Sequence, residues 1–347
     1  MSKIFCTHKK TALQIIFIVS LIVSSDIAQT EHIQSVLSIQ ELKQLAPKIE
    51  AVEKHKYNLK IESNMWIETK ANLSDPCAPW IRTPVYVAST AWIKGGNPFV
   101  DDFANTKIRL NIYKEVTKWE EGVDSYIEES YSVGFDGRYG RIAKNTLRYS
   151  EKTIPVQKGE LFLGVPKVLK SGWWPQLTGA GFSISFLFKG RNDTLSNRFR
   201  WASDPNSLTA TYFKFTREKF DGIDAIKITS KVQKGWQQSY WLDPSRGFSL
   251  LGSKETNVLQ NDKEQLISFM KISKLKEVTK GIWWPMDAFL ISRPLETGAP
   301  YSRTVYHAID VVVNEPNFNE NIFTVPFPKG YVVNDKITGR KYKVGEK

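Results

Sequence analysis

At 347 residues the chain is long enough to bury a core of its own, and its two cysteines, Cys6 and Cys77, are too few for a disulfide framework. Its net charge of +12 comes from 48 Lys and Arg interleaved with 36 Asp and Glu. With no basic block or arm, that pattern excludes the footprint of a nucleic-acid-binding protein; a diffuse positive field suits an anionic membrane surface instead.

The chain opens with a leader. Lys3, Lys9 and Lys10 give a positive start, Leu13 to Val23 an apolar run, and Ser24, Ser25 and Ala28 small residues near a cleavage point. This is the layout of a secretory signal peptide over residues 1–28, and the run is shorter than the roughly 20 residues a membrane span needs. With Cys6 inside the leader, Cys77 is the one thiol of the mature chain, so residues 29–347 must fold on packing alone.

An amphipathic helix follows. Ile33, Val36, Leu37, Leu42, Leu45, Ile49 and Val52 recur at steps of three and four. Ser38 and Glu41 have the spacing of a capping box, and Pro47 is expected to kink or divide the helix. From Tyr57 the period becomes two, the mark of half-buried strands. Tyr57, Leu59 and Ile61 begin it; Tyr131, Val133 and Phe135, then Phe182, Ile184, Phe186 and Phe188, then Ile226 and Ile228 repeat it. Val305, Ile309, Val311 and Val313 close the series as one face. Asp243 to Gly247 and Asp335 to Gly339 read as hairpin turns, with Pro or Asp to start and Gly to supply positive φ. Hairpins without alternating helices imply an antiparallel sheet. Two stretches, near 71–125 and 158–210, are rich in Pro, Gly and polar residues and read as insertions made of long loops around short strands.

Motifs for catalysis are sparse. No G-x-S-x-G occurs. Ser273 and Lys276 form an S-x-x-K string, but in a strand-like run rather than at a helix start. The mature histidines, His32, His55 and His307, lie far apart, and Cys77 has no cysteine at ligand spacing, so no metal or cofactor is expected. Glu128 and Glu129, like Asp101 with Asp102 and Glu120 with Glu121, are adjacent. On a strand neighbours point to opposite faces, so none of these pairs is itself an acid–base dyad.

What the chain has in quantity is aromatic surface: 11 Trp, 13 Tyr and 19 Phe. Core filling explains most of it. A single sheet with one helix nevertheless has more apolar face than the helix can cover, and an apolar hollow follows from that surplus.

The C-terminal part, from about Asp224 to Val344, resembles the LolA-like periplasmic lipoprotein-carrier superfamily. The residues that carry the resemblance are Asp224–Lys227; Tyr240 to Pro244 with Arg246 and Gly247; Gly281 to Pro285; Phe323; Phe327 to Gly330; Asp335; and the Tyr342–Val344 strand. The N-terminal helix and the Tyr57–Glu62 strand fit as well. The resemblance implies an α+β, mainly β fold: a strongly curved antiparallel sheet, an incomplete barrel, with an N-terminal amphipathic helix. It implies one domain over 29–347, a periplasmic location, and lipid or lipoprotein acyl chains as partners held without catalysis. Phe182, Ile184, Phe186, Phe188, Val305 and Ile309 are the residues expected to line the hollow. An envelope sensor binding a protein partner and a carbohydrate-active enzyme are the alternatives.

Overall fold

The computed structural model describes residues 35–53, 57–70, 78–96, 106–120, 123–149, 154–164, 194–207, 212–230, 235–258, 264–292, 301–314 and 319–346. Sixteen strands form one sheet: β1 (Ser35–Val36), β2 (Tyr57–Lys70), β3 (Ile81–Gly96), β4 (Lys107–Glu120), β5 (Val123–Phe135), β6 (Tyr139–Tyr149), β7 (Ile154–Leu163), β8 (Phe213–Phe220), β9 (Ile223–Ser230), β10 (Trp236–Asp243), β11 (Ser249–Val258), β12 (Glu264–Thr279), β13 (Ile282–Ser292), β14 (Tyr301–Val313), β15 (Val332–Asp335) and β16 (Arg340–Lys343). Among the described residues two helices accompany them, α1 (Ile39–Glu53) and α2 (Leu195–Ala202).

The strand order is β1-β8-β9-β10-β11-β12-β13-β14-β2-β3-β4-β5-β6-β7-β15-β16, antiparallel except where β15 runs parallel to β7. Tight turns explain the antiparallel meander. Asp221 (φ 53°) and Gly222 (φ 81°) make the two-residue β8–β9 turn, both in the left-handed region that such a turn requires. Between β10 and β11 the Asp243 carboxylate accepts from the Ser245 amide at 2.9 Å, and Gly247 takes φ 63°. A bulge beside it, between Trp241 and Leu242, bends the pair.

The sheet is unclosed and strongly curved. β1 pairs with β8 at the start of α1, and α1 then delivers the chain to β2, eight places along the order from β1. The sheet curls around α1 and α2, which gives the inner face something to pack on. One cluster results: Leu59 and Ile61 of β2, Leu110 of β4, Val133 and Phe135 of β5, Ile226 and Ile228 of β9, and Leu42, Ile49 and Phe199 of the helices. The period-two runs at Leu59–Ile61, Val133–Phe135 and Ile226–Ile228 are thus the inner face.

The helices are tied in at their ends. Ser38 and Glu41 form the capping box: the Ser38 amide donates to Glu41 Oε2 at 2.8 Å, and the Glu41 amide to Ser38 Oγ at 3.2 Å. Glu41 also reaches Arg217 of β8 at 3.0 Å. Glu53, at the end of α1, accepts from the Leu195 amide at 2.8 Å and the Ser196 hydroxyl at 2.5 Å, and so caps α2. Phe199 of α2 meets Phe215 of β8 edge to face at 4.8 Å.

Four expectations need correction. The helix begins at Ile39; Val36 instead lies on β1, exposed, because the edge of β8 offers the backbone a partner. Pro47 does not divide α1, which runs through it as one element. The first stretch read as loops contains β3 and β4, long strands of the main sheet; Pro84 is accommodated next to a register shift opposite Trp66 and Glu68. The face expected for Val305, Ile309, Val311 and Val313 is broken by a bulge between Ala308 and Asp310. A one-residue slip reverses the faces, so Tyr306, Ala308 and Val311 are buried inside while Ile309 is 56% exposed.

The outer face is covered at both flanks. Val325, Tyr331 and Val333 of the C-terminal segment pack on Ala143. A Cβ on Gly134 would stand 2.5 Å from the Phe323 carbonyl oxygen, which is why the segment can lie so close. On the other flank Ala225, Trp241 and Leu251 form a second outer cluster.

Two measurements check this packing. Phe199→Ala should cost about 3–5 kcal/mol in urea unfolding, because it empties a site buried between helix and sheet. Ser38→Ala should cost about 1 kcal/mol. Glu41 is held near 2, down from 4.5, chiefly by the Ser38 amide and hydroxyl and then by Arg217. A depressed carboxyl contributes stability above its unfolded value and loses it as pH falls. The fall in stability between pH 4.5 and about 2 should therefore be shallower in Ser38→Ala than in the parent chain.

Candidate functional site

The inner face continues beyond the residues that pack on α1 and α2. A buried hydrogen bond between the hydroxyls of Ser63 and Ser89, 2.9 Å, crosses it from β2 to β3. Tyr306 lies next to this line, and burial raises its ionisation. Beyond the serines the face turns apolar again: Met65 and Val87 are buried and Ile112 packs against them. Among the described residues this second cluster consists of strand side chains alone, whereas the first is built on α1 and α2. Register carries the face on to Val116, buried, and to its cross-strand partner Ile127, half-buried.

Charge adjoins this apolar area. Lys114 is the cross-strand partner of Val87 and of Glu129. Glu129 accepts from Lys144 Nζ at 3.0 Å and from the Tyr131 hydroxyl at 3.0 Å, with Lys114 Nζ at 3.9 Å. Burial alone would raise the Glu129 carboxyl; the bonds from Lys144 and Tyr131 and the two ammonium charges outweigh it and hold it below its ordinary range. The Lys144 ammonium also sits 4.8 Å from the centre of the Tyr131 ring. Glu128, the neighbouring carboxylate, is on the outer face opposite Glu115, so the adjacent pair is split between faces as strand geometry demands.

The residues expected to line the hollow are not gathered here. Phe182, Ile184, Phe186 and Phe188 lie outside the described residues. Val305 is half-buried on the outer face, between Trp66 of β2 and Phe289 of β13, and Ile309 stands exposed at the bulge. Val305 belongs to an outer strip of stacked aromatics and cations. Arg303 lies 4.5 Å from the ring centre of Trp80 and 5.7 Å from that of Phe289; Arg82 lies 5.1 Å from Trp66 and 5.5 Å from Tyr86. Glu68 bonds the Trp66 indole at 2.9 Å and Arg303 Nε at 2.8 Å.

The other candidates for chemistry are dispersed. Ser273 and Lys276 are both exposed on β12, a strand. His307 Nδ1 is 2.6 Å from Asp287 on the outer face. Among the described residues no group of His, Cys, Asp and Glu could hold a metal ion, and no helix is long and apolar enough to cross a membrane. The signal that could have exposed the inner charged patch was present: two steps back from Tyr131 and Val133 on the same face stands Glu129, and its strand partners bring the lysines.

No family model matches the chain, and no curated protein matches it in sequence. Among solved structures it is similar to a domain described as an outer membrane lipoprotein-sorting protein from Vibrio parahaemolyticus, with 12% identity and a TM-score of 0.32 over 82% of this chain and 99% of that one. It is also similar to a β-barrel-like protein of a domain of unknown function from Brucella abortus, with 6% identity and a TM-score of 0.23 over 75% of this chain and 99% of that one. Likeness at these TM-scores carries no inference about a ligand, so the ligand has to be argued from the sheet's own inner face.

Proposed function

We propose that the chain is a non-catalytic protein of the cell envelope that holds lipid, or the acyl chains of a lipidated protein, against the apolar part of its inner face that continues beyond α1 and α2. The observation that carries this is the Met65–Val87–Ile112 cluster, apolar and made of strand residues, continuing the face beyond the helix-packed core. An acyl chain laid there gains roughly 0.8 kcal/mol for each CH₂ removed from water, so a dozen carbons give ample affinity with no polar motif. That accounts for a sequence in which aromatic and aliphatic rows stand out and nucleophile or metal motifs do not.

A second reading is favoured by the outer strip around Trp66, Trp80, Arg82 and Arg303. Stacked aromatics and guanidinium groups are the residue types that anchor protein interfaces, and here they lie on a half-exposed face. An envelope sensor would use that side. A carbohydrate-active enzyme would need two carboxylates facing one another about 5–10 Å apart across a cleft. The described cross-strand carboxylates Glu115 and Glu128 sit side by side on the outer face.

The chain purified from its own compartment should carry acyl lipid in near-stoichiometric amount by mass spectrometry of a solvent extract. Ile112→Asn, at a half-buried position, should lower the bound amount several-fold, about what losing one apolar contact predicts, with little change in unfolding midpoint. A lipid-free chain that also fails to take up added fatty acid would sink the reading; a tight protein partner recovered with it would favour the sensor.

A further inference from the structure

The last strand in the sheet order, β16, has all four of its residues exposed, Arg340 to Lys343. It is held through β15, which pairs with β16 on one side and with β7 on the other. Val333 of β15 packs on Ala143 with Val325 and Tyr331. A Cβ on Gly159 of β7 would stand 2.8 Å from the Phe327 ring and 3.0 Å from Val333, so its absence lets the segment seat closely. The β15–β16 hairpin is thus a fixed platform at one margin of the sheet.

The platform is cationic after each carboxylate on it has been counted. The described residues of β7 and of the segment from Lys329 to Glu346 hold six cations, Lys158, Lys329, Lys336, Arg340, Lys341 and Lys343, and all six are exposed. Three carboxylates stand against them, Glu160, Asp335 and Glu346, and β6 beside them adds none. Each of the three is engaged. Glu160 accepts from Lys336 Nζ at 2.8 Å, and Glu346 from Lys343. Asp335 accepts from the Ile337 amide at 2.9 Å and the Thr338 hydroxyl at 2.7 Å, which fixes the turn. Among the described residues no carboxylate forms an ion pair with Lys158, Lys329 or Lys341.

A sheet edge needs charge to discourage pairing with another sheet, and lysine suffices for that. It does not need apolar side chains exposed among the charges. Tyr342 is 44% exposed between Lys341 and Lys343, and Ile337 is 39% exposed in the turn after Lys336. Five of the six cations are lysines, compact charges suited to a diffuse layer of phosphates rather than to bidentate pairing with single carboxylates. Lysines around an exposed tyrosine and isoleucine match the headgroup region of a bilayer, where phosphates meet the ammonium groups and the ring and alkyl group enter the interface.

We propose that the β15–β16 hairpin, with Lys329 and Lys158 beside it, docks the chain on an anionic lipid bilayer. This goes beyond the acyl-binding reading and does not depend on what the inner face holds.

Flotation of the full chain with vesicles of phosphatidylcholine, with and without phosphatidylglycerol, tests this. At low salt the vesicles containing phosphatidylglycerol should bind about ten-fold more tightly, with a gap that shrinks as salt rises. Lys329→Gln, Arg340→Gln and Lys341→Gln together should close most of that gap, whereas Lys329→Arg with Lys341→Arg should keep it. Lys274→Gln, Lys276→Gln and Lys280→Gln together remove the same charge from exposed positions near the β12–β13 turn and should leave binding unchanged. Tyr342→Ser should weaken binding several-fold with no change in charge. Equal binding to the two kinds of vesicle would overturn the proposal. So would equal losses in the two triple variants, which would assign the attraction to the charge of the whole chain. A hairpin variant that floats like the parent but self-associates would overturn it too, by making the lysines guards of the sheet edge. Capture by immobilised polyglutamate without binding to vesicles would overturn it in favour of an acidic protein. Fatty-acid uptake should be equal in the parent and the hairpin variant, so failure of uptake would sink the acyl-binding reading and leave the docking surface standing.

Discussion

The constraint from which the rest of the structure follows is that strands far apart in one sheet must share the same apolar core. Among the described residues α1 and α2 supply 23 helical residues against sixteen strands. Those two helices could not reach all the buried strand residues of the core if the sheet were flat. Curvature solves this by bringing distant strands to the same pair of helices, so that Val133 of β5 and Ile226 of β9 belong to one core. The cost is bending, and the bulges in β10–β11, β11–β12, β12–β13, β14–β2 and β2–β3 are where the backbone takes it. Curvature has a second consequence. Strands of 13 to 16 residues are longer than the helices they embrace are wide, so part of the inner face extends past the helices. The core and the candidate site are two ends of the same rows of side chains.

The helices are held by carboxylates rather than by apolar contact alone. Glu41 caps its own helix and reaches β8, while Glu53 spends its oxygens on the amides that open α2. The two behave oppositely towards protons. Exposed Glu41 is depressed by the bonds it accepts, whereas burial outweighs similar bonds at Glu53 and raises it. Glu41 therefore adds stability as pH rises from about 2 to 4.5, whereas Glu53, whose folded carboxyl lies above 4.5, withdraws it as pH rises past that value. The junction between helices is thus the less comfortable of the two caps at neutral pH.

Much of this fold is legible in the sequence because period-two patterning survives wherever the ladder is regular. Leu59 and Ile61, Val133 and Phe135, and Ile226 and Ile228 all point inward as their spacing says. The Ser38–Glu41 box and the Asp243 and Asp335 turns are equally readable, since each is decided by residues three or four apart. Reading fails where long-range pairing overrides local signals. Val36 looks helical and is a strand because β8 has a free edge. Ile309 alternates correctly with Val305 and Val311 and still ends exposed, because a bulge is a property of two strands and leaves no mark on one. The Pro and Gly between 71 and 125 advertise loops, yet β3 and β4 form between them because each gains a partner on either side. α2 was hidden for another reason: at eight residues it is too short to show a period, and it depends on Glu53 for its cap.

The candidate site was illegible in a more instructive way. Motif reading looks for residues close in sequence, and the inner patch is assembled across four strands. Lys114, Glu129, Lys144 and Lys158 come at intervals of about fifteen, the length of one strand and its turn, because a meander brings the same height of each strand alongside the next. In a chain whose Lys and Arg are scattered among Asp and Glu, such a spacing looks like an ordinary solvated surface. What separates it from one is the face it occupies: those positions share parity with Val133, Phe135 and Leu110, which are buried. A charge at a core-facing parity is costly unless something offsets it. Glu129, Lys144 and Tyr131 offset that cost by bonding one another beside the apolar cluster at Val87.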